Sequence, residues 1–412
     1  MKKRYILFVM MALSQLAKAQ HALSDSTFKQ KKLSKTSIEL AFSYYQQDGN
    51  NSAVTGGIGT EKLTVYAVGT NIQHQFKQYN TLTANFGVDI ISSASTDKID
   101  YRVSSASVLD QHVHTNIDYQ RQIKNTNVKL GGSIGLGFES DYLAVPMQIN
   151  CAYTEPSKMR SFQIGFAASF DDLRWGRFNE EHQLKLVYPS ELRYKDWYDT
   201  YKRKTIQLKF GFSQVINKKM LIGLYPEIIY QSGLLATPFH RVYFADNSLR
   251  VENLPKQRFK FPIAIKLHSF IGKRFILKTQ YHFYIDNFGI IANAIELESV
   301  VKIIPQLSFA PFFRFYHQSA AYYFKPYMQH TIDEIFYSSD YDLSKFNSYK
   351  AGAGFTFYPI NKKQKKASVE HVSLRYAYYY RSSKLQAHSI SFAVMLAAEN
   401  GKNKKSQNRD GK

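Results

Sequence analysis

Phe259-Lys260-Phe261-Pro262-Ile263-Ala264-Ile265-Lys266-Leu267-His268 sets a large apolar side chain at every second position and a small, polar or basic one between. In an extended chain successive side chains leave on opposite faces, so this stretch is a strand with one greasy face and one polar face. The same period of two runs through Ile206, Leu208, Phe210 and Phe212 against Gln207, Lys209, Gly211 and Ser213. It returns in Val372, Leu374, Tyr376 and Tyr378 against His371, Ser373, Arg375 and Ala377, and in Ile390, Phe392, Val394 and Leu396 near the end. Alternation alone also suits a soluble sandwich, whose strands bury one face against a second sheet. Strand length and the pattern of connections separate the two.

Strands are expected near 36–46, 61–76, 80–92, 112–123, 127–138, 143–154, 160–170 and 203–216, and again near 219–230, 258–270, 273–284, 289–301, 305–317, 348–360, 368–381 and 386–397. Most exceed ten residues, longer than the usual globular strand and close to the ~9–11 residues with which a tilted strand crosses a bilayer. Their connections alternate in kind. Turns near 77–79, 124–126, 217–218, 272 and 304 are short, whereas 47–60, 93–111, 171–202, 231–257 and 318–347 are long. A two-faced membrane predicts that asymmetry, with short periplasmic turns, long extracellular loops and an even strand number. The fold expected is all-β: a transmembrane antiparallel up-and-down β-barrel of about sixteen strands, within a range of fourteen to eighteen, both termini periplasmic. Closure satisfies every backbone group inside the lipid, which an open sheet cannot do. Tyr44, Tyr45, Tyr281, Phe283, Tyr378 and Tyr380, near strand ends, are candidates for the aromatic girdles.

The N-terminus fits export. Lys2, Lys3 and Arg4 precede an apolar run from Tyr5 to Leu13, and Ala17 and Ala19 supply a small-x-small cleavage site. The organisation expected is a signal peptide over 1–19, a short basic periplasmic segment over 20–35, the barrel over 36–397 and a disordered basic tail over 398–412. No stretch after the signal reaches the ~20 apolar residues of a spanning helix. The single cysteine, Cys151, excludes an intramolecular disulfide and reads as a small packed hydrophobe. Thirty Tyr and thirty Phe suit strands and membrane interfaces.

Several longer motifs carry a resemblance. Gly-Gly-Ile-Gly-Thr-Glu-Lys-Leu-Thr at 56–64, Ser-Ala-Ser-Thr-Asp-Lys-Ile-Asp at 93–100, Phe-Asp-Asp-Leu-Arg-Trp at 170–175 and Glu-Leu-Arg-Tyr-Lys-Asp-Trp at 191–197 come in order. Thr-Pro-Phe-His-Arg-Val-Tyr-Phe at 237–244, Phe-Lys-Pro-Tyr at 324–327 and Ser-Asp-Tyr-Asp-Leu-Ser at 339–344 follow. Over roughly 36–397 the chain resembles an uncharacterised family of Gram-negative outer-membrane barrels, the domain of unknown function DUF3570. The resemblance implies a membrane barrel with no established activity. It also implies a genomic neighbourhood with a periplasmic flavin transferase and a thioredoxin-like protein, hence redox-linked envelope partners. The chain departs from the usual barrel ending, because a Lys- and Asn-rich tail follows the last strand in place of a terminal aromatic.

Strand parity directs Lys209, Lys260, Lys266, Lys278, Arg314 and Arg375 into the lumen, with Glu39 as a rare opposing charge. A net-basic lumen favours small anionic solutes. The long loops hold a second candidate site of Asp171, Asp172, Arg174, Trp175, Trp197, His240 and Arg241, where loop-to-loop salt bridges are the simpler reading. A catalytic set would join His240 to Asp171, Asp172 or Asp246. No G-x-S-x-G, H-E-x-x-H or paired C-x-x-C argues for an enzyme, and no catalytic residue, cofactor or metal is expected. Gly56, Gly57 and Gly59 read as turn glycines, since no helix pattern follows them. A formal charge of +22 raises nucleic acid as a partner, which export makes a poor candidate. Outer-membrane lipid and periplasmic proteins remain as partners, with Lys29, Lys31, Lys32, Lys35, Lys362, Lys363, Lys365, Lys366, Lys402, Lys404 and Lys405 positioned to meet anionic headgroups.

Overall fold

A computed structural model describes residues 34–93, 109–139, 143–173, 201–237, 240–360 and 367–400. The segment expected to be a signal peptide, residues 20–33, residues 361–366 with their lysines, and residues 401–412 lie outside them.

Long alternating segments joined by tight turns pair with their sequence neighbours. The first half is β1 (Ser34–Asp48), β2 (Leu63–Phe76), β3 (Asn80–Ser93), β4 (Leu109–Gln122), β5 (Val128–Phe138), β6 (Leu143–Thr154), β7 (Arg160–Asp172), β8 (Lys202–Asn217) and β9 (Met220–Gly233). A short hairpin follows, β10 (Arg241–Tyr243) and β11 (Leu249–Val251). The rest is β12 (Gln257–Ile271), β13 (Phe275–Asp286), β14 (Ile291–Ile304), β15 (Leu307–Gln318), β16 (Phe346–Phe357), β17 (Ala367–Arg381) and β18 (Leu385–Asn400). All but the hairpin form one closed antiparallel barrel of sixteen strands in sequence order. Closure is made by β1 on β18, in unbroken register from Ser34 opposite Asn400 to Asp48 opposite Gln386. The closed barrel itself leaves no strand edge to template association.

Register carries one parity around the wall. Phe42, Val68 and Phe86 leave on the outside, as do Ile117, Ile134, Ile149 and Phe166 on the strands that follow. Ile149 is 64% exposed, Ile134 56% and Tyr66 55%, within a band of many such residues. So large a continuous apolar surface is what a monomer in water avoids and hydrocarbon solvates. Cys151 stands in this outer row of β6, opposite Leu130 and Ile164. The interior rows are polar, small or charged.

Three sequence expectations change. Strand β18 continues to Asn400, three residues into the expected tail, because β1 begins at Ser34 and offers partners that far. Tyr45 is no girdle residue: its neighbour Tyr44 points outward beside Tyr66, so Tyr45 must point in, where it lines a cavity. The hairpin β10–β11 was not anticipated, since three-residue strands carry no readable period.

One rim carries short turns; the other carries a built cap. Residues 240–256 and 319–345 knit together through bridges between Phe244 and His330 and between Asn253 and Tyr337, while Phe324 and Ser338 bridge within the second segment. Val242, Phe244 and His330 are completely buried there. A second apolar cluster joins Ala236, Leu254, Ala321 and Leu343 to Phe288, Ile290 and Ala292, with Tyr284 and Tyr316 packed against it. Ala292, Tyr284 and Tyr316 belong to interior rows, so the cap rests on the lumen side of the rim. Gly289 makes this possible: at φ 91° a Cβ would lie 2.6 Å from the Tyr322 ring.

Candidate functional site: the lumen and its mouth

The interior rows bring the expected basic residues onto one surface, with different neighbours. Lys209 donates to Gln148 Oε1 at 3.1 Å. Lys278 and Arg375 both hold Glu298, at 2.7 and 2.8 Å, and Arg375 stacks 3.8 Å from the Phe312 ring. Lys266 lies 5.2 Å from the Tyr225 ring, a cation–π contact. Lys260 stands opposite Asp286, but that carboxylate is taken by Arg258 Nε at 2.9 Å and by the Tyr284 hydroxyl at 2.7 Å. Arg314 stands opposite Glu296 without an ion pair, its Nε buried and unpartnered. Lys350, beside Arg314 in register, was not foreseen. Among the described residues Lys260, Lys266, Arg314 and Lys350 make no ion pair.

Glu39 is not a rare acid. The same parity turns Asp89, Asp118, Asp171, Glu227, Asp286, Glu296 and Glu298 inward. These were passed over because each lies in a strand whose outward row dominates the eye. The lumen is therefore mixed in charge, with unpaired cations concentrated along β12, β15 and β16. Cavities of about 830 and 630 Å³ meet there, and Arg314 lines both.

The loop set assembles differently from the sequence reading. Arg174, Trp175 and Trp197 lie outside the described residues. Asp171 accepts from Arg203 Nε at 2.8 Å and from Ser169 at 2.6 Å, at the top of β7, and Asp172 ends that strand opposite Lys202. Asp246 is spent on its own turn, accepting from the Ser248 amide at 3.0 Å. Arg241 is buried and donates to the His240 carbonyl at 3.4 Å. Among the described residues, the carboxylates that meet His240 are none of the three named for a catalytic set. His240 Nδ1 is 3.5 Å from Glu252 Oε2 and 3.7 Å from Asp340 Oδ2. Glu252 and Asp340 come from separate cap segments, and sequence spacing gives no hint of their meeting.

This trio is closely packed. Glu252 Oε2 accepts from the Thr237 amide at 2.7 Å and Oε1 from the Ser338 hydroxyl. Burial alone would raise the Glu252 carboxyl, but His240 and these hydrogen bonds outweigh it and hold it below its ordinary value. Burial would equally keep the His240 imidazole neutral; Glu252 foremost, then Asp340, pulls its pKa upward instead. Asp340 is raised, chiefly by burial and then by the charges of Asp342 and Glu252.

A second trio sits on the interior wall. His112 and His114, two apart on β4, face Asp89 on β3, with His112 Nδ1 3.2 Å and His114 Nδ1 3.9 Å from Asp89 Oδ2. Glu139 Oε1 lies 3.9 Å from His112 Nδ1.

Glu334 anchors the outer part of the cap, taking Lys325, the His330 ring at 2.6 Å and the Thr331 amide at 3.0 Å. Desolvation works against its charge, yet these donors hold its pKa down to about 2. A carboxyl depressed on folding contributes stability above its unfolded value near 4.5, and loses it as pH falls through the folded one. The cap should therefore keep its protease resistance from pH 8 down to about 5 and lose it progressively toward pH 2. Glu334→Gln is expected to flatten that acid limb and to speed cleavage at pH 7 by roughly tenfold, on the order of the 1–3 kcal/mol that charge-assisted bonds supply.

Fold and site define the class first: a closed sixteen-stranded antiparallel barrel with an apolar exterior, a polar lumen and a packed cap at one rim. Residues 102–392 match the family described as Protein of unknown function (DUF3570), and the chain belongs to that family. The motifs at 56–64 and 93–100 lie ahead of the matched stretch. No curated protein matches the chain. Solved structures similar to it include Pseudomonas aeruginosa OpdK with vanillate, at 8% identity and TM-score 0.43, covering 89% of this chain and 99% of that one. A BenF-like porin from Pseudomonas fluorescens Pf-5 follows at 7% identity and 0.42, with the same 89% and 99% coverage. Acinetobacter baumannii OccAB3 matches at 8% identity and 0.42, again over 89% and 99%.

Proposed function

We propose that this protein is an outer-membrane channel that admits small anionic solutes through a lumen selected by Lys260, Lys266, Arg314 and Lys350. The single observation that carries the reading is that these four cations stand on interior rows without an ion pair among the described residues, and that Lys266, Arg314 and Lys350 line cavities large enough for a small solute. Unpaired cations in a water-filled, low-dielectric wall attract anions and repel cations. The exported N-terminus and the apolar exterior support the outer membrane as its site. The short-turn rim and both termini then face the periplasm, and the cap faces outward. The barrel acts as a conduit and not as an enzyme.

Conductance of the refolded protein in planar bilayers tests this. Steady steps with an anion-preferring reversal potential support the channel. Silence from inserted, folded protein removes it and favours a second reading, a non-conducting envelope component working with periplasmic, redox-linked proteins. The observation favouring that alternative is the cap, whose apolar cluster rests inside the rim.

The bilayer itself gives another test. Ile149 and Asn150 are neighbours on β6 with opposite directions. Ile149→Arg is expected to destabilise the barrel by about 2–4 kcal/mol in lipid, by urea unfolding, while Asn150→Arg costs well under 1. Equal losses would mean that the outer face does not meet hydrocarbon.

A further inference from the structure

The cap trio contains an arrangement that its hydrogen bonds do not explain. His240 Nδ1 is buried and meets the two carboxylates at ion-pair distances, longer than an ordinary hydrogen bond. His240 Nδ1, Glu252 and Asp340 each offer one donor atom, and the three atoms lie within 4.8 Å of one another. The separations from Nδ1, 3.5 and 3.7 Å, approach the edge of a tetrahedron around zinc, which is about 3.4 Å for bonds of about 2.0–2.1 Å. Glu252 is buried and Asp340 half-buried, so two carboxylates converge on one imidazole where little water reaches, an arrangement that a bound cation stabilises.

Both carboxylates are also held from outside the trio. The Ser338 hydroxyl takes Glu252 Oε1, the Thr237 amide holds Oε2 in place, and the Asp342 amide donates to Asp340 Oδ1 at 2.9 Å. Asp340 Oδ2, His240 Nδ1 and the second lone pair of Glu252 Oε2 are left to face one another. Metal sites are oriented by outer hydrogen bonds of this kind. One nitrogen and two carboxylate oxygens suit a divalent ion of the zinc class better than calcium, which asks for six to eight oxygens.

We propose that His240, Glu252 and Asp340 form a binding site for a divalent transition-metal ion, zinc being the best match, which staples segment 234–256 to segment 319–345. Three protein ligands leave a fourth position for water. The site stands whether or not the barrel conducts, and its test uses no conductance.

Full-length protein refolded in detergent and stripped with chelator is titrated with zinc chloride alone, following heat and bound metal, with trypsin cleavage within 234–256 as the second readout. The wild type is expected to take up zinc at this site, slowing cleavage at least tenfold in a way that chelator reverses. His240→Ala should weaken that uptake at least a hundredfold. Asp340→Asn keeps an oxygen for the Asp342 amide, so the metal-free cap should stay protease-resistant while zinc protection is lost. The double variant His112→Ala, His114→Ala controls for the trio on the interior wall and should keep the protection in full. Absence of zinc uptake by folded wild type overturns the proposal. So does undiminished protection in both His240→Ala and Asp340→Asn, loss of uptake only in the double variant, or tighter binding of calcium than of zinc.

Discussion

Phe244→Ala is expected to release the cap while the barrel stays folded. The ring is completely buried, packed 4.8 Å from Tyr337 and 5.7 Å from His330, with the Arg250 guanidinium 4.6 Å above it. Truncating a buried Phe costs roughly 3–5 kcal/mol in lost transfer and cavity terms. In this cap the loss falls on a small unit: Val242, Phe244 and Tyr337 form the whole of one apolar cluster. The barrel is held by strand ladders that Phe244 does not join. Cleavage within 234–256 and 319–345 should accelerate by two orders of magnitude or more, while the heat-modifiable gel mobility of the barrel is unchanged. If the cap resists protease as before, the hairpin and bridges hold it without the aromatic cluster. If the barrel is lost as well, cap and wall fold as one.

The second large effect concerns charge. Replacing Lys260, Lys266 and Arg314 together by Glu should invert the preference of the pore, turning the sign of the reversal potential under a potassium chloride gradient. Each substitution exchanges a cation with no paired acid for an anion on the same interior row. A tenfold change in permeability ratio corresponds to about 1.4 kcal/mol, which a few charges facing a low-dielectric wall readily supply. Lys278→Gln is the contrasting variant. Lys278 shares Glu298 with Arg375, so its removal leaves that acid still held and should move the reversal potential little. Unchanged selectivity in the triple variant would show that ions do not pass along β12 and β15.

The wall of this protein was legible in its sequence because a barrel strand repeats one rule, large and apolar out, small or polar in, over a dozen residues at a time. All sixteen expected strands correspond to observed ones, and β6 falls on the expected residues, 143–154. The ends of strands were less readable. Nothing in Ala398 to Asn400 says strand until Ser34 to Thr36 are available to pair with them. Interior acids such as Glu298 escaped notice since their role lies in a partner on another strand, Arg375, seventy-seven positions away. The cap was hardest. Val242, Phe244, Leu254, Tyr337 and Leu343 obey no period, and they become a core only once two long loops have met. His240 was singled out by its residue type, but its carboxylate neighbours follow from tertiary structure alone.

The pairing of Ser34 with Asn400 has a practical consequence. Beginning and end of the barrel are adjacent on one rim, about the width of a single strand pair apart. An epitope or fluorophore fused beyond either end must therefore report the same compartment, whichever way the molecule is inserted, and two such reporters will lie within energy-transfer range of each other. A marker placed in the segment around Asp246 reports the opposite compartment, so one labelled pair fixes the orientation of every molecule in the membrane.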